Sequence, residues 1–449
     1  MRGRRVSVVG LARSGVAACR LLRRLGAVVL ASDAKPRQAL SADVLSLEAD
    51  GVSVSAGGHP TEVFRGAELV VVSPGVPSQL PILQELREKG VTVIGELELA
   101  WRIMEAPVIA ITGTNGKTTT TALTGTLLRE QSRPVLVAGN IGTPLAAHAL
   151  DVPPDGIVVV EVSSFQLETI ETFRPRVAAF LNLSADHLDR HGSFAAYANA
   201  KCRIFENQTE ADCAVLNADD ALTAQLAGRT KAQVVFFSRT RTLDTGVFCH
   251  DGWIVAKLNG HVERICPVGE IFLRGSHNLE NVLAATACAL WTGIAPEPLR
   301  RGIGSFRGVE HRMEWVRDLQ GVAYYNDSKG TNVASTIKAL ESFSEPVILI
   351  AGGRGKGQDF GALAEAARGR VRAAILIGED REKVRRCLGE TIPSMFAESM
   401  GEAVHLAREW ARAGEVVLLS PACASFDMFE NFEERGEVFK AVVLTLRGA

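Results

Sequence analysis

The run Val108-Ile109-Ala110-Ile111-Thr112-Gly113-Thr114-Asn115-Gly116-Lys117-Thr118-Thr119 constrains this chain more than any other stretch. An apolar strand stops at a glycine, crosses a short polar loop and opens a helix on a lysine and two hydroxyls. Such glycines let backbone N–H groups curl round a phosphate, Lys117 supplies a fixed charge, and the helix N-terminus adds its dipole. The spacing places Thr118 to hold Mg²⁺. Thr119-Thr120-Thr121 is a β-branched cluster and poor helix material. Local preference is overruled here, as is expected at functional sites. The motif departs from the full phosphate-loop pattern at Ile111, five residues before Gly116, where glycine is usual. The alternative is a plain strand–turn–helix junction.

Short Val/Ile/Leu runs alternate with helical patterns along most of the 449 residues. That alternation predicts parallel sheets with crossover helices, and the length suggests about three domains. The first unit carries strands at 6–9, 27–31, 69–72 and 91–94. The central one begins at the phosphate-loop strand and continues through 157–162 and 177–181 into a β-rich stretch at 234–265. An Ala-rich helix over 278–290 closes it. The third opens near His311, with strands at 347–351, 373–377 and 416–419. A formal net charge of −2 gives no sign of steering toward nucleic acid or a membrane surface. The 8 cysteines form no C-x-x-C pair, which argues for reduced thiols, a cytoplasmic protein, and neither zinc nor a disulfide framework. Arg13 interrupts the first apolar run, so a strand, glycine turn and helix fit better there than a signal peptide. No stretch is apolar for long enough to insert in a membrane.

Gly10-Leu11-Ala12-Arg13-Ser14-Gly15 lies between the first strand and its helix, a G-x-G-x-x-G pattern with Ala12 at the second glycine. With Asp33 ending the next strand, this suggests a dinucleotide whose ribose hydroxyl meets Asp33. The Ala12 methyl crowds a pyrophosphate, so the segment supports only a nucleotide-bearing ligand of unnamed kind. Ser73-Pro74-Gly75-Val76-Pro77 closes another strand on the same expected sheet edge.

Glu161 sits near the carboxyl end of a buried-type strand, where an unpaired charge costs several kcal/mol (~2–7 for polar groups, more for ions). Mg²⁺ or a partner arginine compensates it. His187, in the loop Asn182–Asp189 after the next strand, is either structural or a metal ligand. Phe194, Tyr197, Lys201, Ile204 and Phe205 fall on one apolar helical stripe. Lys201 there either snorkels to water or is buried with a lowered pKa. A neutral amine reacts with CO₂ to give a carbamate, which turns a cation into a metal ligand.

In the third unit, Arg312 either reaches a phosphate or pairs with Glu310 or Glu314. Asn326–Asn332 packs polar and small residues densely, as a ligand surface does. Gly352-Gly353-Arg354-Gly355-Lys356-Gly357 is a second phosphate loop or a carboxylate site. Ser420–Asp427 leaves the last strand and begins a helix, where Ser425 and backbone amides suit a carboxylate. Phe426, Phe429 and Phe432 are expected to pack that helix down, and Arg435 reads as an ordinary helix-end cation.

Together these pieces resemble the Mur ligase family, over essentially the whole chain. The resemblance rests on Gly113–Thr118, Glu161–Gln166, Asp186–Asp189, the lysine of Ala200-Lys201-Cys202-Arg203, His311-Arg312, Asn326–Asn332, Gly352–Lys356 and Ser420–Ser425, in that order. The ending through Phe429-Glu430-Asn431-Phe432 to Arg435-Gly436 looks like the branch that adds D-glutamate. The Asp-Asn-Pro-Arg motif of the diamino-acid branch does not occur. The resemblance implies an α/β protein of three domains: a Rossmann-like UDP-binding domain over 1–95, a central P-loop ATPase-like domain over 96–308 and a Rossmann-like D-glutamate domain over 309–449.

It also implies an ATP-dependent ligase joining D-glutamate to UDP-N-acetylmuramoyl-L-alanine through an acyl phosphate, in peptidoglycan precursor synthesis. It assigns Leu11, Ser14, Asp33, Ser73, Gly75 and Asn140 to the UDP substrate. ATP falls to Gly113, Thr114, Asn115, Gly116, Lys117, Thr118, Thr119, Asn281, Arg312, Asp327 and Lys329. Thr331, Lys356, Ser425 and Phe432 go to D-glutamate. Two Mg²⁺ ions are implied, on Thr118, Glu161, His187 and a carbamylated Lys201. Lys117, Glu161, His187, Lys201 and Arg312 become the catalytic set, in a chain expected to be a monomer. Arg354 stands where a small or acidic residue is commoner, which leaves its role open. A folate-directed ligase shares the ATP chemistry, and an NAD-dependent oxidoreductase explains only the first unit.

Overall fold

A computed structural model describes residues 1–447 apart from Asn259 and Lys356, with the side chain of Asp189 also outside the description. The apolar runs become strands buried on both faces, as parallel sheets require. The first sheet contains β1 (Arg5–Val9), β2 (Val28–Asp33), β3 (Ser53–Ala56), β4 (Leu69–Val72) and β5 (Thr92–Gly95), all parallel in the order β3-β2-β1-β4-β5. The second opens with β6 (Val108–Thr112), β7 (Val135–Gly139), β8 (Ile157–Glu161), β9 (Val177–Phe180), β10 (Cys213–Asn217) and β11 (Gln233–Ser238). It ends with β12 (Gly246–His250), β13 (Trp253–Leu258) and β14 (His261–Pro267), in the order β14-β13-β12-β11-β10-β9-β6-β8-β7. Only the pairings of β13 are antiparallel in it.

The third sheet contains β15 (Glu314–Leu319), β16 (Val322–Asn326), β17 (Val347–Gly352), β18 (Val371–Ile377), β19 (Ser394–Phe396) and β20 (Val416–Leu419), in the order β15-β16-β20-β17-β18-β19. Here only β15 runs antiparallel. The first two sheets lie in one compact unit, Met1–Glu270 with Glu280–Gly304. The third lies in another, Ile271–Leu279 with Ser305–Ala449.

Sheet order decides where loops gather. In the second sheet β6 lies between β8 and β9, so the loops after these strands share one edge. In the first sheet β1 and β4 are neighbours, and Ser73 Oγ donates to Gly10 O at 2.7 Å across their ends. In the third, β20 lies between β16 and β17 and brings their following loops together. The β-rich stretch proves to be β11 to β14, and the Ala-rich helix runs Ser276–Leu290.

Two buried charges organise the packing. Glu98, in the helix Glu96–Trp101, has a fully buried side chain. Its carboxylate accepts from the N–H groups of Glu171, Thr172 and Phe173 and from the Thr172 hydroxyl, and pairs with Arg102 at 2.8 Å. Burial alone raises its pKa, but the Thr172 hydroxyl, these amides and Arg102 outweigh burial and hold it below the usual value.

Arg435 is 0% exposed and lies in the first turn of the helix Phe432–Thr445. It is not the ordinary helix-end cation expected from sequence. Its guanidinium donates to Ser328 Oγ, Ser328 O and Cys423 O at 2.9, 2.7 and 3.1 Å, and so ties the loop after β16 to the loop after β20. Desolvation lowers its pKa to about 10, which leaves it charged at neutral pH.

Replacing Glu98 by Ala is expected to lower the unfolding free energy at pH 7 by about 3 kcal/mol, because several buried donors lose their acceptor together. The depressed folded pKa means that this contribution is complete above the unfolded value of about 4.3 and is lost as pH falls through the folded one. Urea unfolding of both proteins at pH 7 and in acid checks both points. Arg435→Ala is expected to cost roughly 3 kcal/mol, with Lys restoring only part because an ammonium cannot reproduce the planar fork. The same denaturation series measures it.

Candidate active site

β6 ends at Thr112, and the turn begins at Gly113, with φ of +149°. Ile111, where the usual pattern has glycine, remains a buried strand residue. Gly116 has φ of +83° and caps the helix Lys117–Arg129. A side chain at Gly116 would also meet Asn281 Oδ1 at 2.2 Å. The loop is tied to the one after β9: Thr114 N donates to Asn182 O at 3.0 Å and Asn115 N to Asn182 Oδ1 at 2.8 Å. Thr118, Thr119, Thr120 and Thr121 are all buried in the helix. Thr120 Oγ1 donates to Asn281 Oδ1 at 3.2 Å, so packing rescues a run that propensity disfavours.

Lys117 Nζ donates to the carbonyls of Gly113 and Thr114, at 2.9 and 2.8 Å. Lys201 reaches the same place from the helix Phe194–Cys202, donating to Gly113 O at 2.9 Å. The apolar stripe is real: Tyr197, Lys201, Ile204 and Phe205 are all buried. Lys201 is 2% exposed, so it does not snorkel. Burial, and then the charge of Lys117, lower its pKa to about 7, against the pull of Asp186 and Glu161.

Glu161, at the end of β8, is buried, and among the described residues no arginine pairs with it. Asn140 Nδ2 donates to its Oε1 at 2.8 Å, and Oε2 has no partner among the described residues. Asn140 reaches it because Gly139, with φ of +107°, turns where a side chain would meet Glu161 O at 2.4 Å. His187 is half-exposed, has φ of +50°, and caps the short helix Leu188–His191. Phe165 lies against it, with ring centroids 5.0 Å apart. Among the described residues no hydrogen bond or ion pair joins Glu161, His187 and Lys201 to one another.

Sequence reading missed Phe165, Arg190 and His191, which pack around that loop. His191 Nε2 lies 3.0 Å from Ser164 Oγ and its Nδ1 3.2 Å from Glu168. The only signal was a basic pair just after His187.

On the first sheet, Asp33 accepts from Leu11 N at 2.7 Å and Lys35 N at 2.8 Å, so its carboxylate shapes the glycine loop itself. A cavity of about 930 Å³ opens there, lined by Leu11, Arg13, Asp33 and Lys35 and by Gly142, Thr143, Pro144, Ala146 and Ala147. Ser14 is half-buried and does not line it. The Ser73 hydroxyl is engaged on Gly10.

In the unit of the third sheet, Lys440 Nζ pairs with Glu310, with Glu314 at 3.3 Å and with Glu437 at 2.8 Å. Arg312 therefore does not take Glu310 or Glu314, and among the described residues it forms no ion pair. Glu310, His311 and Glu437 also bring ligand-type atoms within 4.8 Å of one another. Lys440 already bonds both carboxylates. Asp327 accepts from Ser420 Oγ at 2.7 Å. Burial raises its pKa to about 6, opposed by that hydroxyl and by Arg312. Lys329 Nζ lies 5.6 Å over the Phe432 ring, and Lys329 N donates to His311 O at 2.9 Å. Thr331 N donates to Lys329 O at 2.8 Å.

Two expectations fail in this unit. Ser425 is buried, but no helix starts beside it; the chain turns irregularly until Phe432. Phe426 is 59% exposed and does not pack a helix down, whereas Phe429 rests on the core. Arg354 pairs with Glu379 at the surface, and Lys356 lies outside the described residues.

Three family models match in chain order: the Mur ligase MurD-like N-terminal domain over residues 4–95, the Mur ligase middle domain over 111–289 and the Mur ligase glutamate ligase domain over 311–423. The UDP-N-acetylmuramoylalanine--D-glutamate ligase of Acidobacterium capsulatum is 48% identical over 451 residues, which covers 100% of this chain and 98% of that one. The same-named enzyme of Pelotomaculum thermopropionicum is 47% identical over 99% of this chain and 98% of its own. Among solved structures, the UDP-N-acetylmuramate-alanine ligase MurC from Thermotoga maritima has a TM-score of 0.62 at 19% identity, covering 98% of this chain and 99% of that one. The MurF ligase from Thermotoga maritima, in complex with ADP, has a TM-score of 0.60 at 16% identity, covering 93% and 95%. Both structures share the fold. The chain belongs to the Mur ligase family.

Proposed function

We propose that this chain joins D-glutamate to UDP-N-acetylmuramoyl-L-alanine at the cost of ATP, in peptidoglycan precursor synthesis. The observation that carries the reading is the phosphate loop: Lys117 and Lys201 converge on Gly113 O, and Lys201 also feels the charge of Glu161. The full-length similarity to D-glutamate ligases supports the choice of substrates.

A carboxylate is a poor acyl donor, and ATP makes it a good one. The substrate carboxylate attacks the γ-phosphorus, the bond to the bridging oxygen breaks, and ADP leaves. The D-glutamate amine adds to the acyl phosphate, and the tetrahedral intermediate collapses with loss of phosphate and a proton. Charge develops on oxygens in both steps, so fixed positive groups carry the catalysis. Lys117 faces the β- and γ-phosphates, backed by the Gly113, Thr114, Asn115 and Gly116 amides, with Thr118, Thr119 and Asn281 completing the ATP site. Arg312, Asp327 and Lys329 are further ATP residues. Thr331, Lys356, Ser425 and Phe432 form the D-glutamate pocket. Leu11, Asp33, Ser73, Gly75 and Asn140 take the UDP substrate, and the cavity beside Leu11 suits its nucleotide end.

The orphaned buried oxygen of Glu161 fits a divalent cation. Thr118 and Glu161 would hold one Mg²⁺, His187 and a carbamylated Lys201 a second, and magnesium supplies neutralisation of phosphate charge when bound. The Lys201 amine, neutral above about pH 7, suits attack on CO₂ with loss of a proton. Domain limits of 1–95, 96–308 and 309–449 complete the proposal, with a monomer working in the cytoplasm. Among the described residues no helix is long and apolar enough to cross a membrane.

Inorganic phosphate release from ATP tests the function, with each substrate supplied and withheld in turn. Release is expected only with the UDP-sugar substrate and D-glutamate both present. ATP left intact with every reactant present, or a folate accepted in place of the UDP-sugar, overturns the reading.

A further inference from the structure

Arg190, in the four-residue helix Leu188–His191, has no part in the roles assigned above. Its guanidinium donates to three consecutive carbonyls of the turn after β4: Pro74 O and Gly75 O at 3.3 Å and Val76 O at 2.9 Å. The side chain is 22% exposed, with Glu168 3.9 Å away. Its Cζ lies 4.6 Å over the Phe165 ring. The same ring packs against His187 and stacks on His191, at centroid distances of 5.0 and 5.2 Å. Arg190 thus spans the His187 loop of the second sheet and the Ser73–Pro77 turn of the first.

The turn is clamped on its other side too. Ser73 Oγ holds Gly10 O at 2.7 Å, and Gly10 lies so close to Val76 that a side chain there would meet it at 2.5 Å. In a trans peptide the C=O and N–H point opposite ways. A cation that gathers the carbonyls of Pro74 and Gly75 therefore turns the N–H groups of Gly75 and Val76 away from itself. Val76 N–H closes the turn on Ser73 O at 3.0 Å. The Gly75 N–H donates to nothing among the described residues.

We propose that Arg190 is a positioning residue that fixes the peptide planes of the Ser73–Pro77 turn, so that Gly75 N–H meets an anionic oxygen of the nucleotide substrate, and that couples this turn to the loop carrying His187. The inference rests on the reading of that turn as part of the UDP-substrate site. Arginine suits the task because one planar fork reaches several acceptors. Lysine offers a charge of similar reach without the fork.

Calorimetric titration of the full-length protein with UDP, and separately with ADP, tests the role without turnover. R190A is expected to bind UDP roughly tenfold more weakly, equivalent to ~1.4 kcal/mol, with ADP affinity within about twofold of wild type. R190K is expected to fall between the two. In steady state the KM for the UDP-sugar substrate rises while those for ATP and D-glutamate hold. Equal losses for UDP and ADP, or unchanged UDP affinity with a lowered melting temperature, would reduce Arg190 to a structural residue and overturn the role. A wild type that binds no UDP overturns the site reading and this role with it. A wild type that binds UDP no better than R190A overturns the role alone.

Discussion

One backbone carbonyl, that of Gly113, receives two lysine ammonium groups at 2.9 Å each. The strand, the glycine turn and two helices bring both side chains to that carbonyl. Lys117 comes from the helix that the loop opens, and Lys201 from an apolar stripe that water does not reach. The arrangement favours a phosphate for Lys117 and a neutral amine for Lys201. Glu161, with one oxygen on Asn140 and the other without a partner among the described residues, adds an unsatisfied acceptor. Buried polar groups are normally paired, so such a gap points to a ligand.

Around this centre the sheets contribute loops rather than strands. The order β9-β6-β8 gathers the phosphate loop, the His187 loop and Glu161. Asn182 stitches two of these loops together, its backbone carbonyl accepting from Thr114 N and its side-chain oxygen from Asn115 N. In the unit of the third sheet, the buried guanidinium of Arg435 does the same for the loops after β16 and β20. A cation stripped of water is held by carbonyls and a hydroxyl in place of a carboxylate, which leaves the acids nearby to other partners. Asp327, for one, is bonded by Ser420.

Much of this is legible in the sequence alone. Strand–glycine–helix punctuation marked β1, β6 and β17, and the order of motifs marked the family. The stripe from Phe194 to Phe205 put Lys201 on an apolar helix face, where it could snorkel to water or be buried, and the fold buries it. What sequence could not show depends on contacts far along the chain. Arg435 looks like a surface cation until Ser328 and Cys423 are folded against it. The exposed Phe426 and the missing helix at Ser425 follow from an irregular loop that local propensity does not encode. The edge strands β3 and β19 are short and only partly buried, too weak a pattern to read. Nor could sequence show that the Asp33 carboxylate accepts from the Leu11 and Lys35 amides and so shapes the glycine loop.

The proposed metal site depends on the state of one nitrogen, Lys201 Nζ. Carbon-13 NMR of the protein in labelled bicarbonate, with Lys201→Ala as the reference, reads it directly. A carbamate carbonyl resonance absent from the variant is predicted, growing as pH rises through about 7, where the Lys201 amine loses its proton. Spectra of wild type and variant that match at every pH would contradict it.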